Sequence, residues 1–300
     1  MARGSTFNSI AAPVCSIAEI EPVLKAGAGE IYFGIMPRRW IDRYGNADFI
    51  SRRQNEAAHF STCEELSEIV RRVNEYGCTA TLVLNSRYSE GQLPHIFEIL
   101  EQWEARGGHS VMVSDIEILI RLNDRGSRLR RQLSVMAGVF NSRSVAFFEQ
   151  FGVSRIVLPR EMSVTEMGQL VRNGGKRIEY EAIVMFQKCQ FIDSFCNFYH
   201  PCNEKHGCQM EFLCNGSKVK YLNNSDFDTP FCAACSLERL SEAGVSHFKI
   251  AGRGYPARLV VDSIKFIRQA VDGDRRPDGI KQLYRSTFGG GCRPEKCYYQ

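Results

Sequence analysis

The chain has 300 residues, of which 44% are hydrophobic and 24% charged, and its formal net charge is +4. These values are typical of a soluble globular protein with a sizeable core. The mild charge permits contact with nucleic acid but does not argue for it, because a dedicated nucleic-acid binder usually has a strong basic face. Because the N-terminus shows no apolar signal segment and no apolar stretch is long enough for a membrane span, we expect a cytosolic protein.

Short β-branched apolar runs alternate with amphipathic stretches along the chain. In chain order, the predicted strands are 30–35, 79–85, 109–115, 131–139, 154–160, 177–185 and 246–252, with 218–223 as a candidate further strand. In the intervening stretches apolar residues recur at helical spacing, and most of these stretches stop at glycine. The predicted helices are 18–28, 63–77, 93–108, 141–152, 163–175 and 255–273.

This alternation predicts an α/β fold with a parallel sheet covered by helices. About eight β/α units in a chain of this length favour a (β/α)8 TIM-like barrel with a cysteine-rich insertion at its C-terminal face. An open doubly wound sheet is the alternative, because periodicity does not show whether the sheet closes. We assign residues 1–275 to the barrel domain, with the insertion at about 187–236, and residues 276–300 to a C-terminal tail.

Two insertions interrupt the alternation, and each follows a predicted strand. In a barrel the loops after strands build the catalytic face, so both insertions would meet at one mouth. The first, at 36–62, is either a solvated basic loop or a cover for an anionic substrate, because arginine forks bind carboxylate and phosphate. Its basic and aromatic side chains are Arg38, Arg39, Trp40, Arg43, Tyr44, Arg52, Arg53 and His59.

The second insertion contains a cysteine cluster: seven of the twelve cysteines lie between residues 189 and 235. Structural disulfides are rare in the cytosol, so cysteines at this density indicate metal or redox chemistry. Only Cys232 and Cys235 have the C-x2-C spacing of a zinc knuckle, whereas scattered cysteines also suit an iron–sulfur cluster. Thiolate ligands serve both groups, so the spacing leaves zinc and [4Fe–4S] open.

The remaining cysteines are isolated or lie in the tail. We interpret Cys15, Cys63 and Cys78 as small buried hydrophobic residues. Cys292 and Cys297 follow a glycine-rich stretch, where a flexible tail is the default expectation. The alternatives are that this C-x4-C pair folds back on the mouth or forms a redox pair.

Several separate motifs, in order, resemble those of peptidase family U32, the collagenase-like peptidases. They are "LKAGAGEIYFGI", "LNSRYSE", "FFEQFGVSRIVLPREMSVTEM", the C-x6-C pair Cys189 and Cys196, and "SEAGVSHFKIAGRG". The resemblance extends from about residue 12 to residue 272 and implies a TIM-like barrel.

The resemblance also implies a function. Members of this family are labelled peptidases, but the better-understood ones resemble oxygen-independent hydroxylation proteins acting on tRNA uridine, a ribosomal RNA cytidine or ubiquinone precursors. They carry a [4Fe–4S] cluster on four cysteines, and prephenate is implicated as oxygen source in some branches. The resemblance thus implies a [4Fe–4S] cofactor, a nucleobase or small aromatic substrate, prephenate as a candidate co-substrate and a second U32-family subunit as a candidate partner.

The family's cysteine positions carry over one at a time. Cys189 and Cys196 match the C-x6-C pair, and Cys232 matches the cysteine sixteen residues before Phe248. The third ligand of the family sits in a G-x-C-x3-C element, and "HGCQMEFLC" has a wider second spacing. We predict that Cys208 is the third ligand, and Cys214 is the alternative. The predicted metal ligands are therefore Cys189, Cys196, Cys208 and Cys232; Cys202 and Cys235 are expected to be packed or to act as redox accessories.

Two positions depart from the family pattern. Met185 stands where a histidine is usual, and Ala251 stands where the FKIEGR motif has its glutamate. Losing both groups removes two proton-transfer candidates and predicts a divergent activity or substrate, so the catalytic residues stay unassigned. Lys249 and Arg253 of the motif are retained, and with Arg53 they are predicted to bind an anionic substrate.

Two other functions stay open. A peptidase needs a nucleophile beside a base, and no recognisable pairing or H-E-x-x-H motif is present in the sequence. His200 and His206 lie among the cysteines and are interpreted as polar loop residues, with bases or ligands as the alternative. A non-catalytic iron–sulfur subunit of a heteromeric complex would suit the two departures from the family pattern.

Overall fold

The computed structural model describes residues 9–45, 49–53, 56–186, 188–189, 191–196, 212–219, 229–273 and 276–299. Its strands are β1 Ser9–Pro13, β2 Glu30–Ile35, β3 His59–Phe60, β4 Thr79–Leu84, β5 Ser110–Val113, β6 Arg130–Leu133, β7 Val153–Val157, β8 Glu179–Met185, β9 Phe212–Cys214, β10 Ser217–Val219 and β11 His247–Ile250. Its α-helices are α1 Ile17–Lys25, α2 Arg38–Tyr44, α3 Glu65–Glu75, α4 Leu93–Ala105, α5 Ile116–Asp124, α6 Ser142–Glu149, α7 Val164–Asn173, α8 Leu237–Glu242, α9 Ala257–Asp272 and α10 Pro277–Phe288.

Eight parallel strands close into a barrel, as the sequence predicts. The order around the barrel is β1, β11, β8, β7, β6, β5, β4 and β2. Closure depends on β1, which pairs with β11 on one side and with β2 on the other, so that Ile10 lies opposite Phe248 and Ala12 opposite Ile31. The short strand β3 pairs with the end of β2. The helices lie outside, and the architecture is a TIM-like barrel.

The barrel strands form because their residues are apolar on both faces. All six residues of β2 are buried, as are all four of β5. Each outer helix instead buries one stripe: α3 buries Leu66, Ile69, Val70 and Val73 and exposes its charged face. This combination of doubly buried strands and amphipathic helices is that of a parallel sheet wrapped by helices.

The eighth barrel strand differs from the one that the sequence favoured. It is β1, at the N-terminus, which the sequence analysis did not assign. The candidate strand at 218–223 contributes Lys218 and Val219 to an antiparallel hairpin of β9 and β10, outside the barrel. Its residues 220–223 lie outside the described ranges. β1 is rich in alanine and ends in proline, so it lacks the β-branched pattern by which the other strands were recognised.

The tail begins with a helix. α10 packs on α9, where Phe266 makes edge-to-face contacts with Tyr284 and Phe288 at centroid distances of 5.9 and 5.3 Å. Tyr298 and Tyr299 are buried. The tail therefore packs against the barrel domain. Within the described ranges, no helix is long and apolar enough to cross a membrane.

A polar network crosses the barrel interior. Arg155 on β7 donates to Glu30 on β2 at 2.6 Å and to Glu181 on β8 at 3.2 Å. Glu30 also accepts from Thr81 at 2.7 Å and from Gln132 at 3.0 Å. Because these residues come from strands on opposite sides, the contacts must pass through the barrel. Through Glu181 the network also reaches Lys249 on β11, whose Nζ donates to Glu181 Oε1.

Candidate functional site

A cavity of about 140 Å³ opens at the C-terminal ends of the barrel strands. In a closed parallel barrel this end carries the loops in which active sites are built. Its apolar wall comes from side chains near the strand ends, including Val83, Met112, Val157 and Ile183. The charged and thiol groups on its wall are Arg52, Arg53, Arg160, Lys188, Cys189, Asp193, Cys196, Lys249 and Arg253. We call this space the mouth cavity.

The mouth cavity unites residues that the sequence analysis predicted separately. Lys249, Arg253 and Arg53, the predicted substrate-binding cations, all line it and are 7%, 5% and 8% exposed. Cys189 and Cys196, two of the predicted metal ligands, lie on the same wall and are half-buried. The cavity therefore combines thiols with buried positive charge.

Lys249 is fixed by two contacts. Its Nζ donates to Glu181 Oε1 at 2.9 Å and lies 4.0 Å from the ring centroid of Tyr32. Glu181 is fully buried, and burial opposes its charge, but Lys249 and Arg155 together lower its pKa below the usual value. Lys249 is consequently held at the cavity floor by a carboxylate that stays ionised.

Arg253 occupies the space that a side chain at position 34 would fill, and residue 34 is glycine. A Cβ on Gly34 would lie 2.2 Å from Arg253 Nη1 and 2.6 Å from His59 Cδ2. Only glycine at this position of β2 lets the guanidinium approach the strand so closely. Beside it, the Arg53 guanidinium carbon lies 5.9 Å from the Tyr255 ring centroid. The two arginines are thus positioned by packing on the barrel.

The segment 191–196, which carries Cys196, is held over the cavity by an ion pair. Arg160 Nε donates to Asp193 Oδ2 at 2.8 Å, and the second guanidinium nitrogen donates to Oδ1. Arg87 Nη2 donates to the Ser194 carbonyl at 3.3 Å. The bidentate contact between Arg160 and Asp193 is buried, and two parallel hydrogen bonds of this kind fix the orientation of both side chains.

A mixed set of donor atoms surrounds Cys189. The ligand atoms of Glu161, Cys189 and Asp193 all lie within 4.8 Å of one another. Burial, followed by Asp193, raises the pKa of Cys189 to about 12, whereas Arg160 opposes the shift. Asp193 is already paired with Arg160, so the thiol is the donor best suited to a soft metal. Cationic neighbours and a second thiol at Cys196 fit an iron–sulfur cluster, whose ligands are thiolates.

The other predicted ligands have separate positions. Cys232 is buried and lines a second cavity with Cys235 and Cys297. Cys208 lies outside the described residues, as do Cys202, His200 and His206. Cys214 is exposed at the end of β9. The predicted set of four ligands therefore stays a prediction.

The first insertion divides into two parts. Arg52 joins Arg53 on the cavity wall, and its backbone N–H donates to Asn85 Oδ1 at 3.0 Å. Arg38 instead pairs with Asp42 at 2.8 Å, and Arg39 pairs with Glu98 on the outer surface. Of these four arginines, Arg52 and Arg53 therefore lie where a cover for an anionic substrate would place them, and Arg38 and Arg39 do not.

Sequence reasoning missed three residues of the site. Arg160 and Asp193 were not singled out, although Arg160 is the last residue of the predicted strand 154–160. Cys15, interpreted as structural, accepts a hydrogen bond from the Gly254 N–H at 3.1 Å, directly beside Arg253. No sequence signal marked this contact, because the strand before Cys15, β1, was not recognised.

Comparison with known proteins identifies the family. The sequence profile of peptidase family U32 matches residues 15–286, which is most of the chain. The chain belongs to peptidase family U32.

The chain is also similar to curated proteins and to a solved structure. An uncharacterized protease of Methanocaldococcus jannaschii is 25% identical over 284 residues, which cover 87% of this chain and 64% of that relative. The chain therefore spans about two thirds of that relative's length. The tRNA hydroxylation protein P2 of Bacillus subtilis is 22% identical over 272 residues, covering 86% of this chain and 83% of the relative. A solved structure, the U32 peptidase Mk0906, superposes with a TM-score of 0.53 at 13% identity, covering 85% of this chain and 97% of that one.

Within the U32 barrel, the two departures from the family pattern lie beside the site. Ala251 follows β11 and lines the mouth cavity, where the family's glutamate would add a carboxylate. Met185 ends β8 with its side chain fully buried, and its carbonyl accepts from the Ala251 N–H at 3.2 Å. Ala251 therefore lies on the cavity wall itself, whereas Met185 is joined to it through this backbone hydrogen bond.

Proposed function

We propose that this U32 protein is an iron–sulfur redox enzyme of the oxygen-independent hydroxylation type. The observation that carries the proposal is the shared wall of the mouth cavity, where Cys189 and Cys196 lie with Lys249, Arg253 and Arg53. Thiols supply ligands for a [4Fe–4S] cluster, and the cations supply a binding surface for an anionic reactant. The relation to a protein named for tRNA hydroxylation supports the same class of reaction.

In this proposal Cys189 and Cys196 are two of the cluster ligands. The sequence predicts Cys208 and Cys232 as the others, and neither contact is tested by the described geometry. When bound, the cluster supplies one-electron redox chemistry that the side chains themselves lack. Arg160 and Lys188 would balance the negative charge of a thiolate-ligated cluster at this wall.

The substrate class follows from the charge of the wall. Six of its side chains are cationic, and Asp193, which pairs with Arg160, is anionic. An anionic reactant is therefore favoured, and prephenate, which carries carboxylates, is a suitable co-substrate. A small aromatic molecule or an RNA nucleobase would be the group modified, with Tyr32 on the cavity wall to contact its ring.

The first experiment is anaerobic purification followed by iron and sulfide analysis. About four iron and four sulfide per chain are expected for the cluster. Cys189→Ala and Cys196→Ala should lose most of the iron, while Cys63→Ala, a buried cysteine that does not line the mouth cavity, should retain it. Absence of iron, with zinc bound through Cys189 and Cys196, would reject the redox proposal.

Peptidase activity is the second candidate, because the family and the M. jannaschii relative carry that name. A serine–histidine hydrogen bond joins Ser51 Oγ to His59 Nε2 at 2.9 Å. Ser51 is fully buried, however, so a peptide bond has no access to its hydroxyl. Cleavage of gelatin or casein that is lost in Ser51→Ala, but kept by the metal-free protein, would favour this candidate over the redox enzyme.

A supporting role in a two-subunit complex is the third candidate. The segment that carries Cys196 exposes apolar side chains at the mouth: Phe195 is 75% exposed, and Phe191 and Ile192 are each 39% exposed. Apolar groups grouped in this way suit a protein partner. Copurification of a second U32 protein, lost when Phe195→Ser is introduced, would support the partner role, and recovery of the wild type alone would oppose it.

A further inference from the structure

Lys249 places a primary amine at the floor of the mouth cavity. The residue lies on β11, one position before the strand ends, and is 7% exposed. The pairing of β11 with β8 shifts register directly after Lys249. Irregularities of this kind re-aim side chains and are frequent beside active sites. An irregular strand end thus presents a buried amine on the cavity wall.

The amine has one strong hydrogen-bond acceptor among the described residues. Its Nζ donates to Glu181 Oε1 at 2.9 Å and lies 3.8 Å from Met112 Sδ, which is a weak acceptor. The centroid of the Tyr32 ring lies 4.0 Å from Nζ. The amine is therefore surrounded by one carboxylate and by apolar groups. Lysines that are desolvated in apolar pockets act as nucleophiles toward carbonyl carbons, with which they form imines.

Glu181 is placed to move a proton to and from this amine. Its Oε1 accepts from Lys249, and its Oε2 accepts from Arg155 Nη1 at 3.2 Å. Because a guanidinium keeps its charge in proteins, Arg155 fixes the carboxylate and leaves Oε1 to the lysine. The Glu181 side chain is fully buried, so bulk water does not compete for a proton that passes between the two groups.

The same wall supplies contacts for a carboxylate. Arg53 and Arg253 line the cavity together with Lys249, and both are more than nine-tenths buried. Guanidinium groups bind carboxylates through two parallel hydrogen bonds. A small molecule with a ketone next to a carboxylate would therefore place its acid group at an arginine and its carbonyl carbon at the amine. The cavity, of about 140 Å³, has room for a reactant of this kind.

We propose that Lys249 forms an imine with the ketone of a small α-keto acid. The ammonium group of Lys249 gives one proton to Glu181, and the amine nitrogen forms a bond to the carbonyl carbon. A second proton passes from this nitrogen to the carbonyl oxygen. Glu181 then gives its proton to the new hydroxyl group, which leaves as water. The product is a protonated imine beside an ionised Glu181, so charge is conserved and no oxidant or reductant is needed.

The imine belongs to the same cavity as the proposed redox function and rests on that proposal only for its anionic reactant. A protonated imine withdraws electrons from the neighbouring carbon more strongly than the ketone does. Lys249 would thus activate the bound acid for bond making or breaking at that carbon. Because imine formation needs no cluster, the two proposals can fail separately.

The test is reductive trapping in the full chain, with pyruvate as the probe. Sodium cyanoborohydride reduces an imine to a stable secondary amine, and mass spectrometry of the digest locates the added mass. Wild type should carry the adduct on Lys249. Lys249→Arg keeps a cation beside Glu181 and should lose most of the adduct.

Lys296→Arg is the matched control. Lys296 is also buried, and its Nζ lies 4.7 Å from the Phe231 ring centroid, but it does not line the mouth cavity. This variant should trap pyruvate as the wild type does. Loss of the adduct from Lys296→Arg and its retention by Lys249→Arg would overturn the proposal.

The peptide map of the wild type identifies the reacting lysine even if a variant fails to fold. No adduct, or an adduct spread over exposed lysines, would overturn the proposal. Acetone has a ketone but no carboxylate and should trap much less than pyruvate, whereas equal trapping would overturn the substrate class. Iron is measured in the same samples. Trapping on Lys249 without iron would support the imine and reject the cluster, and absence of trapping in iron-loaded protein would do the reverse.

Discussion

Lys249 and Glu181 form a buried ion pair, with Nζ 2.9 Å from Oε1 and the carboxylate fully excluded from solvent. Lys249 faces the mouth cavity, whereas Glu181 also contacts Arg155 in the barrel interior. The pair thus connects the charge network that fills the barrel to the surface that meets a ligand. Its geometry links the stability of the fold to the electrostatics of the site.

Replacing Glu181 should therefore destabilise the fold. Removing one partner of a buried ion pair typically costs about 3–5 kcal/mol, because the other charge loses its compensation. We expect Glu181→Gln to lower the free energy of unfolding by this amount in urea titrations. The matched control is Glu21→Gln, whose exposed pair with Lys25 is screened by water and should leave the free energy of unfolding nearly unchanged. Equal effects of the two substitutions would contradict the role given to the network.

Acid should weaken the same network through His247. Arg155 Nη2 donates to His247 Nε2 at 2.9 Å, so the imidazole proton lies on Nδ1 and is donated to Ser246 Oγ at 2.9 Å. Burial, followed by Arg155, lowers the pKa of His247 in the folded state. The unfolded chain then takes up the proton first, near the ordinary pKa of about 6.5, and folding free energy is lost as the pH falls below that value.

The pH dependence of unfolding tests this sign. Wild type should lose stability as the pH falls below about 6.5, at about 1.4 kcal/mol for each unit by which the pKa is lowered. His109, whose pKa is lowered by burial, contributes in the same direction. The slope of the unfolding free energy against pH should decrease in His247→Gln, and it should decrease further when His109→Gln is added. An unchanged slope in the double variant would show that other groups control the acid response.

Much of the fold was predictable because seven strands have buried apolar runs of their own. The strand that closes the barrel was not, since Ala11, Ala12 and Pro13 lack the β-branched pattern and gain their conformation from pairing with β2 and β11. The tail helix α10 was not predicted, because the glycine-rich stretch after it favours a flexible tail. Its apolar stripe is formed by Ile280, Tyr284 and Phe288.

The site was predictable where a motif marks it. Lys249, Arg253 and the Cys189–Cys196 pair were found because they belong to patterns recognisable in sequence, and the barrel topology explains why they share one mouth. The contact between Cys232 and Cys297 was not predictable, because it depends on a backbone bridge between distant segments. Pairing of this kind is set by tertiary packing and leaves no local sequence signal.

The Arg160–Asp193 ion pair should control the order of the segment that carries Cys196. In this segment the Phe195 N–H donates to the Ile192 carbonyl at 3.1 Å, and the Cys196 N–H donates to the Asp193 carbonyl at 3.2 Å. Hydrogen bonds to charged groups contribute about 1.5–3 kcal/mol, so Asp193→Asn should speed exchange of these amide hydrogens by about tenfold or more.

Hydrogen exchange with mass spectrometry makes this measurement directly. The control is Asp262→Asn, because the pair of Asp262 with Arg258 lies on the surface and its arginine side chain is 93% exposed. That substitution should leave exchange in 191–196 unchanged. If Asp193→Asn did so as well, the segment would be held by its other contacts, such as that between Arg87 and the Ser194 carbonyl.

Gly34→Ala should impair ligand binding without removing a charged group. The new Cβ would lie 2.2 Å from Arg253 Nη1 and 2.6 Å from His59, so the guanidinium must leave its position on the cavity wall. Inserting a methyl group into packed surroundings costs about 1–3 kcal/mol, and we expect a loss of unfolding free energy in that range. Calorimetric titration with prephenate should show weaker binding, while the iron content should not change.

Gly91→Ala, whose Cβ would meet nothing within 4 Å, is the matched control and should bind like wild type. Binding of equal strength in Gly34→Ala and wild type would show that Arg253 does not contact the anion.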